Sequence, residues 1–330
     1  MPIYEYQCDS CSETYEEYLS TSDKPTPPCP KCGSGKELTE WARQAEALGY
    51  SSLFVPDHFI DHDLAPTVAL AHVAAVTDTL RVGPLVLGND YKHPVVLGRE
   101  MATLDLLSSG RLELGIGAGW MTADYEKAGM PLDRPGVRIA RLAESIAILK
   151  GLFAPGPFTF HGEHYRVTDL DGMPKPPQGA DLPFLIGGGG KKILGLAASE
   201  AKIVGINANL KTGEGESAET AQSLLPGATD QKLAWLREAA GDNFVNLEIQ
   251  TLLGFVHLTD DPSGIVKAMA GSFGVSEADA VLAPATLVGS ESSVVDVLEE
   301  RRDRWQMSYI VVPIESTETL APVVARLAGN

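Results

Sequence analysis

From Glu37 onward, short runs of apolar and β-branched residues alternate with stretches whose apolar positions recur every three or four residues. The first pattern predicts strands and the second predicts helices, so their alternation predicts a sheet built with parallel crossovers. Leu38, Trp41, Ala42, Ala45 and Leu48 share one helical face, and Gly49 stops that helix. Seven strands are predicted, at Ser52–Val55, Leu80–Leu87, Arg111–Ile116, Pro183–Ile186, Lys202–Ile206, Leu247–Val256 and Ser308–Val312. Helices are predicted among them at Val68–Thr77, Leu97–Leu107, Arg138–Leu152, Ile193–Ser199 and Ser292–Gln306, with a terminal one at Leu320–Leu327. Two longer connections, Ala154–Leu182 and Asn207–Asp230, are rich in Gly, Pro and polar residues, the composition of lids or excursions from a core.

Composition narrows the class. A chain of 330 residues with 44% hydrophobic content can bury a large core, and no apolar run approaches the length of a membrane span. The formal charge of −18 argues against nucleic acid as a partner. The first 34 residues carry only Lys24 and Lys31 against Glu5, Asp9, Glu13, Glu16, Glu17 and Asp23, a poor phosphate-binding face.

All four cysteines lie in the first 32 residues, as Cys8-x-x-Cys11 and Cys29-x-x-Cys32. Two residues between cysteines let both sulfurs of a tight turn face one ion, and two such knuckles supply four thiolates of a closed tetrahedral zinc site. Pro30 and Gly33 suit the second turn. Disulfides or a redox dithiol are the rival readings, and iron ranks behind zinc. No secretory signal precedes the cysteines, which favours a cytoplasmic setting and a metal. With every ligand position filled by Cys8, Cys11, Cys29 and Cys32, the metal is expected to be structural.

The words around the knuckles, Met1-Pro-Ile-Tyr-Glu-Tyr-Gln-Cys-Asp-Ser-Cys and Cys-Pro-Lys-Cys-Gly-Ser, resemble the head of the small FmdB-type regulatory zinc ribbons. Ser12 departs from that pattern, standing where a glycine commonly follows the first knuckle. Two domains are therefore expected: a zinc ribbon over residues 1–36 and an α/β barrel over residues 37–330.

Chemistry in a (β/α)8 barrel belongs at the carboxyl ends of its strands. Those ends carry Asp57-His58, Gly88-Asn89-Asp90, Gly115-Ile-Gly-Ala-Gly-Trp120 and Gly187-Gly-Gly-Gly190 followed by Lys191-Lys192. Glycines at successive strand ends let backbone approach a flat or phosphorylated ligand. Each is also compatible with ordinary turn chemistry or close packing at the rim.

Leu-Gly-Tyr-Ser-Ser-Leu-Phe-Val-Pro-Asp-His-Phe at 48–59, Lys-His-Pro at 92–94, Ala-Thr-Leu-Asp-Leu-Leu-Ser-Ser-Gly-Arg-Leu-Glu-Leu-Gly-Ile-Gly-Ala-Gly-Trp at 102–120 and Pro-Phe-Leu-Ile-Gly-Gly at 183–188 resemble the luciferase-like monooxygenase superfamily, above all its branch that uses the deazaflavin coenzyme F420. The resemblance implies a TIM barrel of the bacterial luciferase-like type and hydride transfer to or from a small-molecule substrate, with FMN and oxygen activation as the alternative. It implies that Asp57 and His58 sit beside the reactive edge of the ring, His58 moving a proton or polarising substrate. It further implies a non-prolyl cis peptide near Leu85-Val86 backing the ring, with Gly187 and Gly188, and next to them Gly117 and Gly119, lining it. For phosphate the sequence offers Lys191 with Lys192, and the helix start at Gly289-Ser290. Trp120 is a candidate pocket wall, whereas Arg301, Arg302 and Arg304 are expected on a solvated helix face.

Members of that superfamily usually begin with a strand before the helix that here starts near Glu37, and in this chain the cysteine-bearing head stands in its place. Strand one is expected to be missing, which leaves two open edges. Three outcomes stay open in the sequence. Ile3–Gln7 or Glu13–Leu19 fills the gap; a second chain covers it in a homodimer; or the fusion is accidental and leaves a non-catalytic barrel.

Overall fold

The computed structural model describes residues 3–7, 14–18, 33–60, 64–210, 213 and 218–329. The expected zinc ligands Cys8, Cys11, Cys29 and Cys32 lie outside the described residues. In the head, β1 (Ile3–Gln7) pairs antiparallel with β2 (Thr14–Tyr18), Ile3 opposite Tyr18, in a two-stranded sheet of its own.

The chain then alternates. Helix α1 (Gly33–Ala47) leads to β3 (Ser52–Val55), α2 (Pro66–Val76), β4 (Arg81–Pro84) with its continuation β5 (Leu87–Gly88), α3 (Pro94–Leu107) and β6 (Leu114–Gly117). Next come the short α4 (Thr122–Ala128), the long α5 (Pro135–Phe153), the hairpin of β7 (Pro157–His161) and β8 (Arg166–Asp171), β9 (Phe184–Gly188), α6 (Lys191–Glu200) and β10 (Ile203–Ile206). The last third holds α7 (Ala218–Gln222), α8 (Pro226–Ala240), β11 (Glu248–Leu252), β12 (Phe255–Leu258), α9 (Ser263–Phe273), α10 (Glu277–Leu282), β13 (Thr286–Gly289), α11 (Glu291–Trp305), β14 (Met307–Val311) and α12 (Thr317–Leu327).

The strands of the barrel run parallel in the spatial order β3, β4 with β5, β6, β9, β10, β11, β14. Val82 ties β4 to β6 by accepting from the Glu113 amide and donating to the Arg111 carbonyl. Alternation sorts each strand into two sides. Leu53, Val55, Val82, Leu114, Ile116, Ile186, Val204, Ile206 and Ile249 pack outward under the helices. Phe54, Leu85, Val86, Leu185, Ile203, Tyr309 and Val311 form a separate inner cluster.

Seven staves thus stand where the sequence predicts seven. Among the described residues no backbone ladder joins β14 to β3, so the seam expected from the missing strand is present. Side chains cross it at the barrel floor. Ser52 and Tyr309 share a short hydroxyl contact, the Tyr309 hydroxyl donates to Glu113 at 2.5 Å, and Arg81 pairs with Glu113 while lying over the Tyr309 ring. Burial pushes the Glu113 carboxyl up from its ordinary range, and the Tyr309 hydroxyl and Arg81 pull it back. Outside, α12 packs on α1, where Gln44 donates to Glu318 and the Tyr50 hydroxyl donates to the Thr317 carbonyl at 2.9 Å.

Several expectations are corrected. The predicted strand Leu247–Val256 is two strands, because the Gly254 and Phe255 amides turn to the Ala285 carbonyl and carry β12 away to pair with β13. The connection Ala154–Leu182 contains the β7–β8 hairpin, and Asn207–Asp230 contains α7 and the first turn of α8. Arg301 is not on a solvated face. It is fully buried, with its guanidinium donating to the carbonyls of Val281, Ala283 and Thr286, whereas Arg304 pairs with Asp230 at the surface. Among the described residues no helix is long and apolar enough to cross a membrane.

Candidate active site

Strand β3 delivers Asp57 and His58 to the mouth of the barrel. Asp57 is held by the Gly88 amide at the end of β5, which donates to it at 3.0 Å. Burial pushes the Asp57 carboxyl up, and this amide opposes the shift. His58 is gripped by a residue that sequence reasoning missed. Nδ1 lies 2.6 Å from Oδ2 of Asp124, a fully buried carboxylate on α4. Asp124 also accepts from the Phe59 amide at 2.9 Å and from the Tyr91 hydroxyl at 3.3 Å. Phe59 and Tyr91 both donate to this carboxylate, so Asp124 serves as the acceptor of the cluster and His58 Nδ1 faces it as a donor. The Trp120 ring stands edge-on to His58, 5.6 Å between centroids, which places Trp120 in the wall of the same site.

Asp124 is held in turn by what surrounds α4. Tyr125 donates to Asp90 at 3.1 Å, and Arg141 on α5 reaches Asp90 at 2.8 Å. The Tyr91 hydroxyl is pushed above its ordinary range by burial and by the Asp124 charge, so it stays a donor. Gly119 makes this packing feasible. Its φ is +74°, and a Cβ there would fall 2.0 Å from the Tyr125 hydroxyl oxygen.

The Leu85–Val86 peptide is cis, at the position where the resemblance implies one. Val86 packs on Gly117, where a Cβ would lie 2.8 Å from its Cγ2, and a Cβ on Gly115 would lie 2.0 Å from the Pro84 carbonyl oxygen. Strand β6 must therefore be glycine-rich wherever it faces the bulge between β4 and β5. Gly115 pairs with Leu185 of β9, and two residues further along each strand stand Gly117 and Gly187. Gly187 pairs with Gly205 on β10, and the Asn207 amide covers it, 2.6 Å from where a Cβ would be. Gly188 has a plainer role, since a Cβ there would collide with Ile193.

The structure thus joins Asp57, His58, Leu85, Val86, Gly117, Gly119 and Gly187 by an unbroken series of contacts and strand pairings around one mouth. That series of contacts does not include the proposed phosphate groups. Lys191 pairs with Glu238 on α8, both well exposed, and Lys192 donates to the Gly136 carbonyl. Gly289 ends β13, which pairs with β12 in a two-stranded sheet of its own, and Ser290 starts α11, its hydroxyl capping that helix by accepting from the Ser293 amide at 3.3 Å. The start of α6 at Gly190 has no side-chain cap.

The fold and these strand ends define a luciferase-like TIM barrel whose strand ends carry closely packed glycines and a histidine held by a buried acid. The chain belongs to the luciferase-like monooxygenase family, whose sequence model matches residues 19–228. It is 33% identical over 163 residues to the F420-dependent glucose-6-phosphate dehydrogenase of Amycolatopsis mediterranei strain U-32, covering 47% of this chain and 48% of that protein. The chain spans about half the length of the curated relatives it matches. In structure it resembles the coenzyme F420 dependent tetrahydromethanopterin reductase from Methanopyrus kandleri, with a TM-score of 0.71 and 19% identity over 89% of this chain and 96% of that one. It also resembles the long-chain alkane monooxygenase LadA, with a TM-score of 0.67 and 14% identity over 89% of this chain and 84% of that one. Likeness at such identities speaks for the fold alone.

Proposed function

We propose that this protein is an F420-dependent oxidoreductase acting on a small organic substrate at the mouth formed by β3, β5, β6 and β9. The observation that carries the reading is the His58–Asp124 pair at strand ends whose glycines, Gly117, Gly119 and Gly187, let Val86, Tyr125 and Asn207 pack closely on the backbone. A flat ring needs a firmly packed wall, and a proton-transfer partner needs an oriented imidazole. The residues present therefore fit a deazaflavin or flavin ring. Gly117 and Gly187 with the Leu85–Val86 bulge would hold its plane, Trp120 would wall the site, and the α6 start at Gly190 is the helix end with amides to offer a phosphate. When bound, the deazaflavin supplies hydride transfer. The protein's own part is to orient the ring, to exclude water with Trp120 and Phe59, and to move one proton at His58, whose ring Asp124 holds in place.

The curated relative that uses F420 supports this reading over FMN, and the resemblance to a monooxygenase fold keeps FMN with oxygen activation as the second one. Titration of the purified protein with F420 and, separately, with FMN, followed by ligand fluorescence, decides between them. Saturable micromolar binding of F420 is expected, FMN alone would select the monooxygenase reading, and binding of neither would remove both.

Zinc on Cys8, Cys11, Cys29 and Cys32 belongs to the same proposal, in a cytoplasmic setting that keeps thiols reduced. Its check is metal analysis of the purified protein: one zinc per chain is expected, and its loss on replacing Cys29 and Cys32 together. A homodimer is also part of the reading, because β3 and β14 each keep an edge without a ladder partner among the described residues. Sedimentation velocity tests it, and a monomer would remove it.

A further inference from the structure

Alternation along β11 puts Ile249 in the core under the helices and turns Gln250 inward. Gln250 is in register with Gly205 on β10, which is in register with Gly187 on β9. A Cβ on Gly205 would lie 2.7 Å from the Gln250 Oε1. The Gln250 and Asn207 amides therefore rest on two adjacent glycines, in the wall already assigned to a flat ring. Gln250 is 1% exposed, and neither its Oε1 nor its Nε2 finds a hydrogen-bond partner among the described residues.

An unpaired buried amide destabilises a fold on two atoms at once, and leucine or methionine would fill the same volume without that penalty. The two atoms also specify a partner. A carboxylate would satisfy only Nε2, and a single hydroxyl would serve both atoms only through bent hydrogen bonds. A lactam edge satisfies both, because it presents an N–H and a C=O side by side.

We propose that Gln250 binds the lactam edge of the ring at this wall, Oε1 accepting from the ring N–H and Nε2 donating to the adjacent ring carbonyl. This rests on the cofactor reading, since deazaflavin and flavin rings both carry that edge. It adds a side-chain ligand from β11, a strand that none of the sequence motifs touches.

The test is a chemical double cycle. Wild type and Gln250→Leu are titrated by fluorescence with whichever of F420 and FMN the wild type binds, and with the same molecule methylated at the lactam nitrogen. The expected results are a loss of about tenfold or more in wild-type affinity on methylation, a similar loss for Gln250→Leu with the unmethylated ring, and no further loss when both changes are combined. Gln250→Leu should be no less stable than wild type without ligand, because it removes the unpaired amide. Gln250→Met, close in volume, repeats the measurement should leucine disturb folding. Equal methylation penalties in wild type and variant would overturn the proposal, as would unchanged ring affinity in Gln250→Leu, the result expected if the lactam belonged to the substrate instead. Wild-type binding of neither ring would be a different failure, of the cofactor reading itself.

Discussion

Glu46 fastens α1 to the turn before β4, and its charge is what makes the fastening. One carboxylate oxygen accepts from the amides of Thr79 at 2.6 Å, Leu80 at 2.9 Å and Asp78 at 3.0 Å, and from the Thr79 hydroxyl at 2.9 Å. These donors hold the carboxyl down at about 2 from its usual 4.5. At 1.36 kcal/mol per unit that difference is worth about 3 kcal/mol, which solvent at the half-exposed carboxylate screens to about 1–2 kcal/mol. Because the folded-state value is depressed, the contribution is full above the unfolded value near 4.5 and is lost as pH falls toward 2. Glu46→Gln keeps an acceptor oxygen and removes the charge. It should cost about 1–2 kcal/mol at pH 7 and less than half as much at about pH 3. Urea denaturation of both proteins at the two pH values measures this. An unchanged gap at pH 3, or none at pH 7, would refute the assignment of the stabilisation to the charged carboxylate.

Asp124→Asn should lower turnover about a hundredfold or more with little change in ring affinity, because it disturbs the proton on His58 Nδ1 and not the binding wall; an affinity loss at unchanged turnover would assign Asp124 to binding. His58→Ala should behave in the same direction, in the same steady-state and titration measurements. Gly187→Val should weaken ring binding by about tenfold or more, read by fluorescence, since its side chain must displace the Asn207 amide; wild-type affinity would show that this wall does not touch the ring. Lys232, buried on α8 with Nζ donating to the carbonyls of Asn207 and Ser223, is pushed down to about 8 by burial. Its unfolded value is higher, so between pH 8 and about 10.5 wild type should gain up to about 3 kcal/mol relative to Lys232→Met; a flat difference in urea melts across that window would contradict the shift.

Much of the barrel was legible because its strands are short apolar runs with a definite side to bury. Ser52–Val55 matches residue for residue, and the other barrel strands shift at their ends or, as with Leu80–Leu87, break at a bulge. The break after Leu252 was hidden because Phe255 and Val256 continue the β-rich composition even though Gly254 turns the chain out of the sheet. Helix α8 was hidden by the polar run before it, although Pro226 at its first turn and Leu233 with Leu236 on its buried face were signals. Arg301 misled by its charge. Val294, Leu298, Arg301 and Trp305 lie at i, i+4, i+7 and i+11, so spacing alone puts the guanidinium on the packed stripe. Asp124 could not be found from sequence, because its value comes from a contact between a seven-residue helix and a strand end 66 residues away. Gln250 had a usable signal, the polar residue in an apolar alternation, but its missing partners are visible only in three dimensions.

The seam between β14 and β3 falls on the side of the barrel away from the glycine wall. Gly117, Gly187, Gly205 and Gln250 stand on β6, β9, β10 and β11, which lie inside one continuous parallel sheet with a paired neighbour on both sides. Their spacing is fixed by backbone ladders irrespective of what happens at the edge. Strand β3 is the exposed member, and it carries Asp57 and His58 just past its last pairing with β4. Those two residues are held by clamps from elsewhere, the Gly88 amide of β5 on Asp57 and the Asp124 carboxylate of α4 on His58. At the floor, the Ser52, Tyr309, Glu113 and Arg81 contacts tie β3 to β14 and β6 without a strand between them. A barrel with no strand between β14 and β3 among the described residues thus keeps the wall proposed for the ring by hydrogen-bonded sheet, and the proposed catalytic pair by side-chain clamps. Loosening the seam, as Tyr309→Phe would by removing the hydroxyl shared with Ser52 and Glu113, should therefore lower stability while leaving ring affinity nearly unchanged. Thermal unfolding and fluorescence titration of that variant separate the two, and a parallel loss of both would show that the wall depends on the seam after all.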